Sequence, residues 1–222
     1  MYLVRTPDVL RPLARDLLWR VRTDEKVVHL TFDDGPVPEV TPWVLDRLKE
    51  HDAKATFFCI GRNVERDPAL FQRIMAEGHA VGNHTWAHAN GWRTSHRAYC
   101  RSVLQCDRLV RSRLFRPPYG RITRSQVGTL KRRFQPVMWD VLSADFDPRI
   151  TAGTCISNVL DNVRPGSIIV FHDSVKAWPR LEKALPAVLR GLREMGYSCA
   201  ALEGGTTAPP DEDQAPIPPA RS

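Results

Sequence analysis

No run of apolar residues in this 222-residue chain approaches the ~20 needed to cross a bilayer. Residues 1–20, MYLVRTPDVLRPLARDLLWR, also hold no unbroken apolar stretch of the ~7–15 residues that a secretory leader uses, so a cytoplasmic location is the expectation. The five cysteines, Cys59, Cys100, Cys106, Cys155 and Cys199, are odd in number and show no CxxC spacing. That pattern gives neither a disulfide framework nor a cysteine zinc site, and the thiols read as reduced and mostly buried. Aromatics make up only 8% and do not interleave with the scattered Lys and Arg. The formal charge of +7 therefore reads as a solvated basic surface, and no nucleic-acid partner is expected. No internal repeat is present.

What is there fits one globular domain: 42% hydrophobic and 26% charged residues. The eighteen prolines concentrate at the C-terminus, where APPDEDQAPIPPARS cannot bury apolar surface, so residues 204–222 are expected to form a disordered acidic tail. In the segment 1–25, Val9, Leu10, Leu13, Leu17 and Val21 stand at helical spacing across residues 8–21. An amphipathic helix packed on the domain is expected there, with contact to a membrane surface as the alternative. Residues 26–203 remain as the folded body.

Within that body short β-rich runs alternate with helical stretches. The runs are VVHLTF (27–32), ATFFCI (55–60), HAVGNH (79–84), a segment at 114–116, QPVMWDV (135–141), SIIVFH (167–172) and YSCAAL (197–202). Thr41-Pro42, Asp67-Pro68 and Trp178-Pro179 open the helices WVLDRLKEH, ALFQRIMAEG and RLEKALPAVLRGLREMG. About seven parallel strands with crossover helices follow, and runs such as IIVF imply burial on both faces, hence a barrel or a doubly wound sheet.

Polar residues stand where these strands end: Asp33 and Asp34, His84, Arg116, Asp145 and His172. Carboxyl ends of parallel strands are where sites assemble. His84 and His88, four residues apart, would share one face of a helical turn at metal-chelating distance, or serve as ordinary capping histidines. Asp33-Asp34-Gly35-Pro36 could be an Asx turn. Equally, one of the two acids could ligate a metal while the other acts as a base on water.

TFDDGP (31–36), HTWAH (84–88), RPPYG (116–120), WDVLSADF (139–146) and IVFHD (169–173) together resemble the ordered motifs of the polysaccharide deacetylase family, also called the NodB-homology domain or carbohydrate esterase family 4. The resemblance covers about residues 26–202. It implies a distorted (β/α) barrel of about seven parallel strands and a metal-dependent amide hydrolase. It assigns Asp34, His84 and His88 to one divalent metal ion, zinc foremost, with cobalt or nickel as alternatives. It further implies Asp33 as catalytic base, Arg116 as the arginine holding that base, and Tyr119 as donor of a backbone N–H to the oxyanion. His172 matches the general acid, Asp145 the carboxylate orienting it, and Trp139 and Val170 the walls of an acetyl pocket. Phe146 stands where the family often has Trp, and Leu142 where it often has Asp.

The implied activity is removal of N-acetyl groups from GlcNAc-type poly- or oligosaccharides, the acetylated carbohydrate being the partner. The same chemistry on another small amide or an O-acetyl ester is the second reading. A carbohydrate-binding pseudoenzyme is the rival from another class, and its signature, loss of base, ligand or acid, is not found here. Asp173 reads as a turn or supporting group. Of Trp86, Trp92, Tyr99, Trp139 and Trp178, most read as core. Trp86 and Trp92 are the candidates for a groove wall.

Overall fold

The strand β1 (Val27–Asp33) carries the plan of the molecule, because its two faces do different work. Val28, Leu30 and Phe32 point outward into the main apolar core, while Thr31 and Asp33 point inward to a buried arginine, Arg116. The computed structural model describes residues 3–5 and 15–206. β1 pairs in parallel with β2 (Ala55–Cys59) on one side and β7 (Ile168–His172) on the other, with Asp33 in register with both Phe58 and His172. The path continues through β3 (Ala80–Asn83), β4 (Leu114–Phe115) and β5 (Gln135–Pro136) at one edge and β6 (Val141–Leu142) at the other. β8 (Ser198–Cys199) pairs the first two residues of β1 before β2 begins.

Seven helices lie in the crossovers among the described residues: α1 (Thr41–Glu50), α2 (Gly61–Arg66), α3 (Pro68–Ala76), α4 (His96–Val110), α5 (Arg124–Leu130), α6 (Ala152–Leu160) and α7 (Trp178–Glu194). The result is a curled parallel half-barrel, one of the two arrangements the strand pattern allowed and the one the family resemblance implied. Phe32 stacks between Phe57 and Phe171, with ring centroids 5.1 and 6.1 Å away, and α1, α3 and α7 close over them. Each such ring fully removed from water contributes about 1.5–3 kcal/mol. On the inner face Gly82 is required: a Cβ there would meet the Phe58 ring at 2.6 Å.

Several expectations are corrected. QPVMWDV is not one strand but two, β5 and β6, on opposite edges of the sheet. The Arg116 guanidinium draws the carbonyls of Val137 and Met138 inward, at 3.4 and 2.9 Å, and this diverts the chain between the two short ladders. Thr41 does not cap α1; Val40 takes that position, and the Thr41 hydroxyl is spent on Val37 and Asp173. Asp67 does cap α3, accepting from Leu70 N–H at 3.0 Å ahead of Pro68.

The N-terminal amphipathic helix falls partly on residues 6–14, which lie outside the described residues. Its described part, 15–25, holds no helix. Leu18 bridges Val137 and Arg20 bridges Ser167, while Leu18 and Val21 pack on Phe58, Leu114 and Ile168. Pairing with open backbone groups at the foot of the barrel outweighs helical periodicity there. At the other end Thr206 bridges Val81, so residues 204–206 belong to the body rather than the tail. Residues 207–222, the rest of the expected tail, lie outside the described residues.

Candidate active site

Every strand-end residue singled out from the sequence arrives at one place. A cavity of about 680 Å³ at the carboxyl ends of the strands is lined by Asp33, Asp34, His84, His88 and His172, with Tyr119, Trp139 and Val170 in its wall. A larger cavity, about 1300 Å³, opens at the opposite end around Trp19, Arg20 and His29, but it contains no paired carboxylates and no histidine pair.

The two adjacent acids sit differently because the chain turns between them. Asp33 is still in β1, and its carboxylate accepts from Arg116 Nη1 at 2.7 Å. Asp34 has φ 85°, which swings it out of the strand. Its carbonyl accepts from Asn63 Nδ2 at 2.8 Å, and Gly35 N–H donates to Asp173 at 3.1 Å. Gly35 cannot be replaced without moving something: a Cβ would lie 2.0 Å from an Asp173 oxygen.

His84 and His88 are brought together by a turn rather than the helical turn expected. Thr85 and His88 both have positive φ, 66° and 56°. Asn83 accepts from Thr85 N–H, and the Thr85 hydroxyl accepts from Ala89 N–H, both at 2.9 Å. Both rings are held through Nδ1. His84 Nδ1 donates to the Arg116 carbonyl at 2.8 Å, and His88 Nδ1 lies 3.1 Å from the Tyr119 hydroxyl. Their Nε2 atoms turn to Asp34 Oδ1, at 3.7 and 3.1 Å. That oxygen is buried and accepts no hydrogen bond among the described residues. One ligand atom from each residue falls within a 4.8 Å cluster. Two imidazoles anchored at Nδ1, a carboxylate oxygen without a donor, and space in front of them fit a divalent cation.

The electrostatics agree with that fit. Burial drives the His84 pKa down to about 4, leaving a neutral ring with a lone pair. Burial alone would raise Asp34, but His88, His172 and His84 outweigh it and hold the carboxyl well below the usual carboxylate range.

Across the cavity His172 Nδ1 lies 2.7 Å from Asp145 Oδ1. Burial opposes the charged ring, yet the charge and hydrogen bond of Asp145 win and lift the His172 pKa to about 9. The Phe146 ring stands edge-on to His172 at 5.3 Å. Tyr119, at φ 60°, closes the side of the histidine pair with its ring 4.5 Å from that of His88.

Three supporting residues were not found in the sequence. Thr31 accepts from Arg116 at 2.6 Å, Arg180 donates to the Asp145 carbonyl at 2.5 Å, and Asn63 holds the Asp34 carbonyl. The period-2 alternation of β1 could have shown that Thr31 shares the inner face with Asp33. Nothing marks Arg180, a helix residue whose role depends on how α7 docks. Of the groove candidates, Trp92 lines the cavity and is 65% exposed, whereas Trp86 packs instead against Gly61 of α2. Tyr99 is core, and Trp178 stacks edge-on with Trp43.

The half-barrel and its strand-end constellation define a NodB-type domain. The chain belongs to the polysaccharide deacetylase family, whose profile matches residues 20–132. It is 39% identical over 154 residues to a peptidoglycan-N-acetylglucosamine deacetylase of Bacillus cereus, covering 66% of this chain and 56% of that protein. The chain thus spans little more than half of that relative's length. A chitooligosaccharide deacetylase of Azorhizobium caulinodans is 38% identical over 165 residues, covering 69% of this chain and 77% of its own. Among solved structures, a crystallised peptidoglycan N-acetylglucosamine deacetylase superimposes with a TM-score of 0.81 at 32% identity, over 91% of this chain and 98% of that one.

Proposed function

We propose that this chain is a metal-dependent hydrolase that removes N-acetyl groups from GlcNAc-type poly- or oligosaccharides. One observation carries the reading: the Asp34, His84 and His88 cluster faces an Asp145-supported His172 across a single cavity, with Asp33 between them in register with His172. The family membership and the names of the relatives support the substrate class.

Asp34, His84 and His88 would hold the ion, zinc foremost, with cobalt or nickel as alternatives. When bound, it supplies Lewis-acid polarisation to an amide carbonyl and acidifies a water. The protein does the rest. Asp33 accepts the proton of the attacking water, and Arg116 fixes that carboxylate so that its free oxygen faces the cavity. The Tyr119 amide donates to the developing oxyanion. As the C–N bond breaks, His172 gives its proton to the departing amine, and Asp145 keeps the ring charged and oriented for that transfer. Trp139 and Val170 wall the acetyl group. The products are acetate and a free amino sugar.

Acetate release from chitooligosaccharide, peptidoglycan and acetylated xylan fragments, with and without a chelator, tests this. Release from the GlcNAc substrates that stops on chelation and returns with zinc or cobalt is expected. Release from xylan alone would make it an O-acetyl esterase. No release from any substrate by protein shown to contain metal would make it a pseudoenzyme.

A further inference from the structure

The charges in the cavity wall are unevenly distributed. Both carboxylates that line it are committed inward, Asp33 to Arg116 and Asp34 to the two imidazoles. Apart from His172, which is paired with Asp145, the other charged groups of the lining are both cations, Arg121 and Lys176, and neither forms an ion pair with a carboxylate among the described residues. Leu142 lines the wall as well, an uncharged side chain.

Each of the two cations lies against an aromatic ring of the wall. Arg121 follows the short 3-10 turn after β4, with its guanidinium 5.7 Å from the centre of the Tyr119 ring and 5.2 Å from that of Trp92. Tyr119 in turn touches His88. Lys176 follows β7, with Nζ 5.8 Å from the centre of the Phe146 ring, and Phe146 touches His172. One cation thus stands a single aromatic ring beyond the proposed metal side, the other a single ring beyond the proposed acid. Attraction to the ring faces holds both near the mouth while leaving their N–H donors open to a ligand.

We propose that Arg121 and Lys176 are specificity residues that select acetylated glycans bearing carboxylates on the sugars flanking the one deacetylated. The inference rests on the deacetylase reading above and adds to it the charge of the chain that enters the cleft. A sugar seated with its acetyl group between His88 and His172 presents its two neighbours to the two sides of the mouth, where the cations wait. A guanidinium fork on one side matches a carboxylate in geometry, and an ammonium on the other matches it in charge. A cleft with cations at both rims also concentrates anionic substrate, more so at low ionic strength. The exposed rings of Trp92 and Tyr119 beside Arg121 supply the apolar face that a pyranose needs.

The test compares one acidic GlcNAc oligomer, carboxylated on neighbouring sugars, with the same oligomer after its carboxyl groups are converted to uncharged amides. The readout is the ratio of kcat/KM for the two, measured by acetate release at low and high salt with metal-loaded protein. Wild type should favour the acidic form by about ten-fold at low salt, and salt should erode the preference. Arg121→Gln and Lys176→Gln should each lower the ratio by about three-fold, Arg121→Lys should retain most of it, and the double Gln variant should abolish it. A ratio near one in wild type overturns the proposal, as do Gln variants that slow both substrates equally and leave the ratio intact. Failure of wild type on both oligomers would instead remove the deacetylase reading on which it stands.

Discussion

One carboxylate grips His172 twice: Asp145 Oδ1 lies 2.7 Å from the ring Nδ1, and Oδ2 accepts the His172 backbone N–H at 2.8 Å. Position and charge of the ring are therefore set by the same side chain, whose residue is fixed at its backbone carbonyl by Arg180. The pKa of about 9 means that His172 stays protonated through neutral pH and loses its proton only in the alkaline range. Asp145→Asn keeps the shape and removes the charge. The alkaline limb of kcat/KM should then move to lower pH, by about one to two units, since an adjacent opposite charge is what favours the protonated ring. A limb that stays in place would mean that His172 is not the group whose protonation is required.

Asp33 and Asp34 can be separated by what their loss does to metal. Asp33→Asn preserves hydrogen bonding to Arg116, so bound metal should be retained while turnover falls by the ~10²–10⁴ typical of a lost general base. Asp34→Asn removes the negative charge that faces the two imidazoles, so metal content and turnover should fall together. Metal analysis of the purified variants decides between them, and the opposite pattern would exchange the two roles.

The strand-end residues were legible because a parallel sheet with both faces covered has few places for polar side chains, and Asp33, His84, Arg116 and His172 each closed a recognisable apolar run. What stayed hidden depended on contacts made across the barrel. QPVMWDV reads as one strand until Arg116, more than a dozen residues earlier, takes two of its carbonyls. Leu17 and Val21 repeat at a helical interval, but Leu18 finds the unpaired edge at Pro136–Met138 and the segment extends. Thr41 before Pro42 carries every mark of a cap and is used instead to hold Asp173. In each case local preference, worth a fraction of a kcal/mol, yields to a buried polar group that must be paired.

Asp173 follows His172 directly, yet its carboxyl faces away from the cavity, accepting from Gly35 N–H at 3.1 Å and from the Thr41 hydroxyl at 2.5 Å. Burial raises its pKa to about 8, the Thr41 hydrogen bond opposing the rise and the charges of Asp34 and Asp33 adding to it. It is a brace for the loop that presents Asp34. Thr41→Val should lower stability by about 1–3 kcal/mol, the cost of leaving a buried acceptor without its donor. Bound metal should weaken with it while the pH dependence of kcat stays as in wild type. A displaced pH profile would show Asp173 taking part in proton transfer.

Arg116 is the largest fully buried side chain among the described residues. It donates to Asp33 at 2.7 Å, to Thr31 at 2.6 Å and to the Met138 carbonyl at 2.9 Å, with its guanidinium 4.1 Å over the Phe58 ring. Arg116→Met keeps most of the volume but strands a carboxylate and the carbonyls of Val137 and Met138 inside the barrel, while the Thr31 hydroxyl keeps its bond to the Ile169 carbonyl. Breaking one side of a buried ion pair costs about 3–5 kcal/mol, which in a domain of this size lowers Tm by roughly 6–20 °C. The pair as a whole carries much less, because the desolvation of two charges offsets most of their attraction. Replacing both, as Asp33→Leu with Arg116→Met, should therefore recover a large part of the lost Tm while turnover remains abolished. Thermal unfolding of the single and double variants reads this directly. A double variant less stable than Arg116→Met alone would mean that the pair stabilises the half-barrel itself, rather than being kept to hold the base in place.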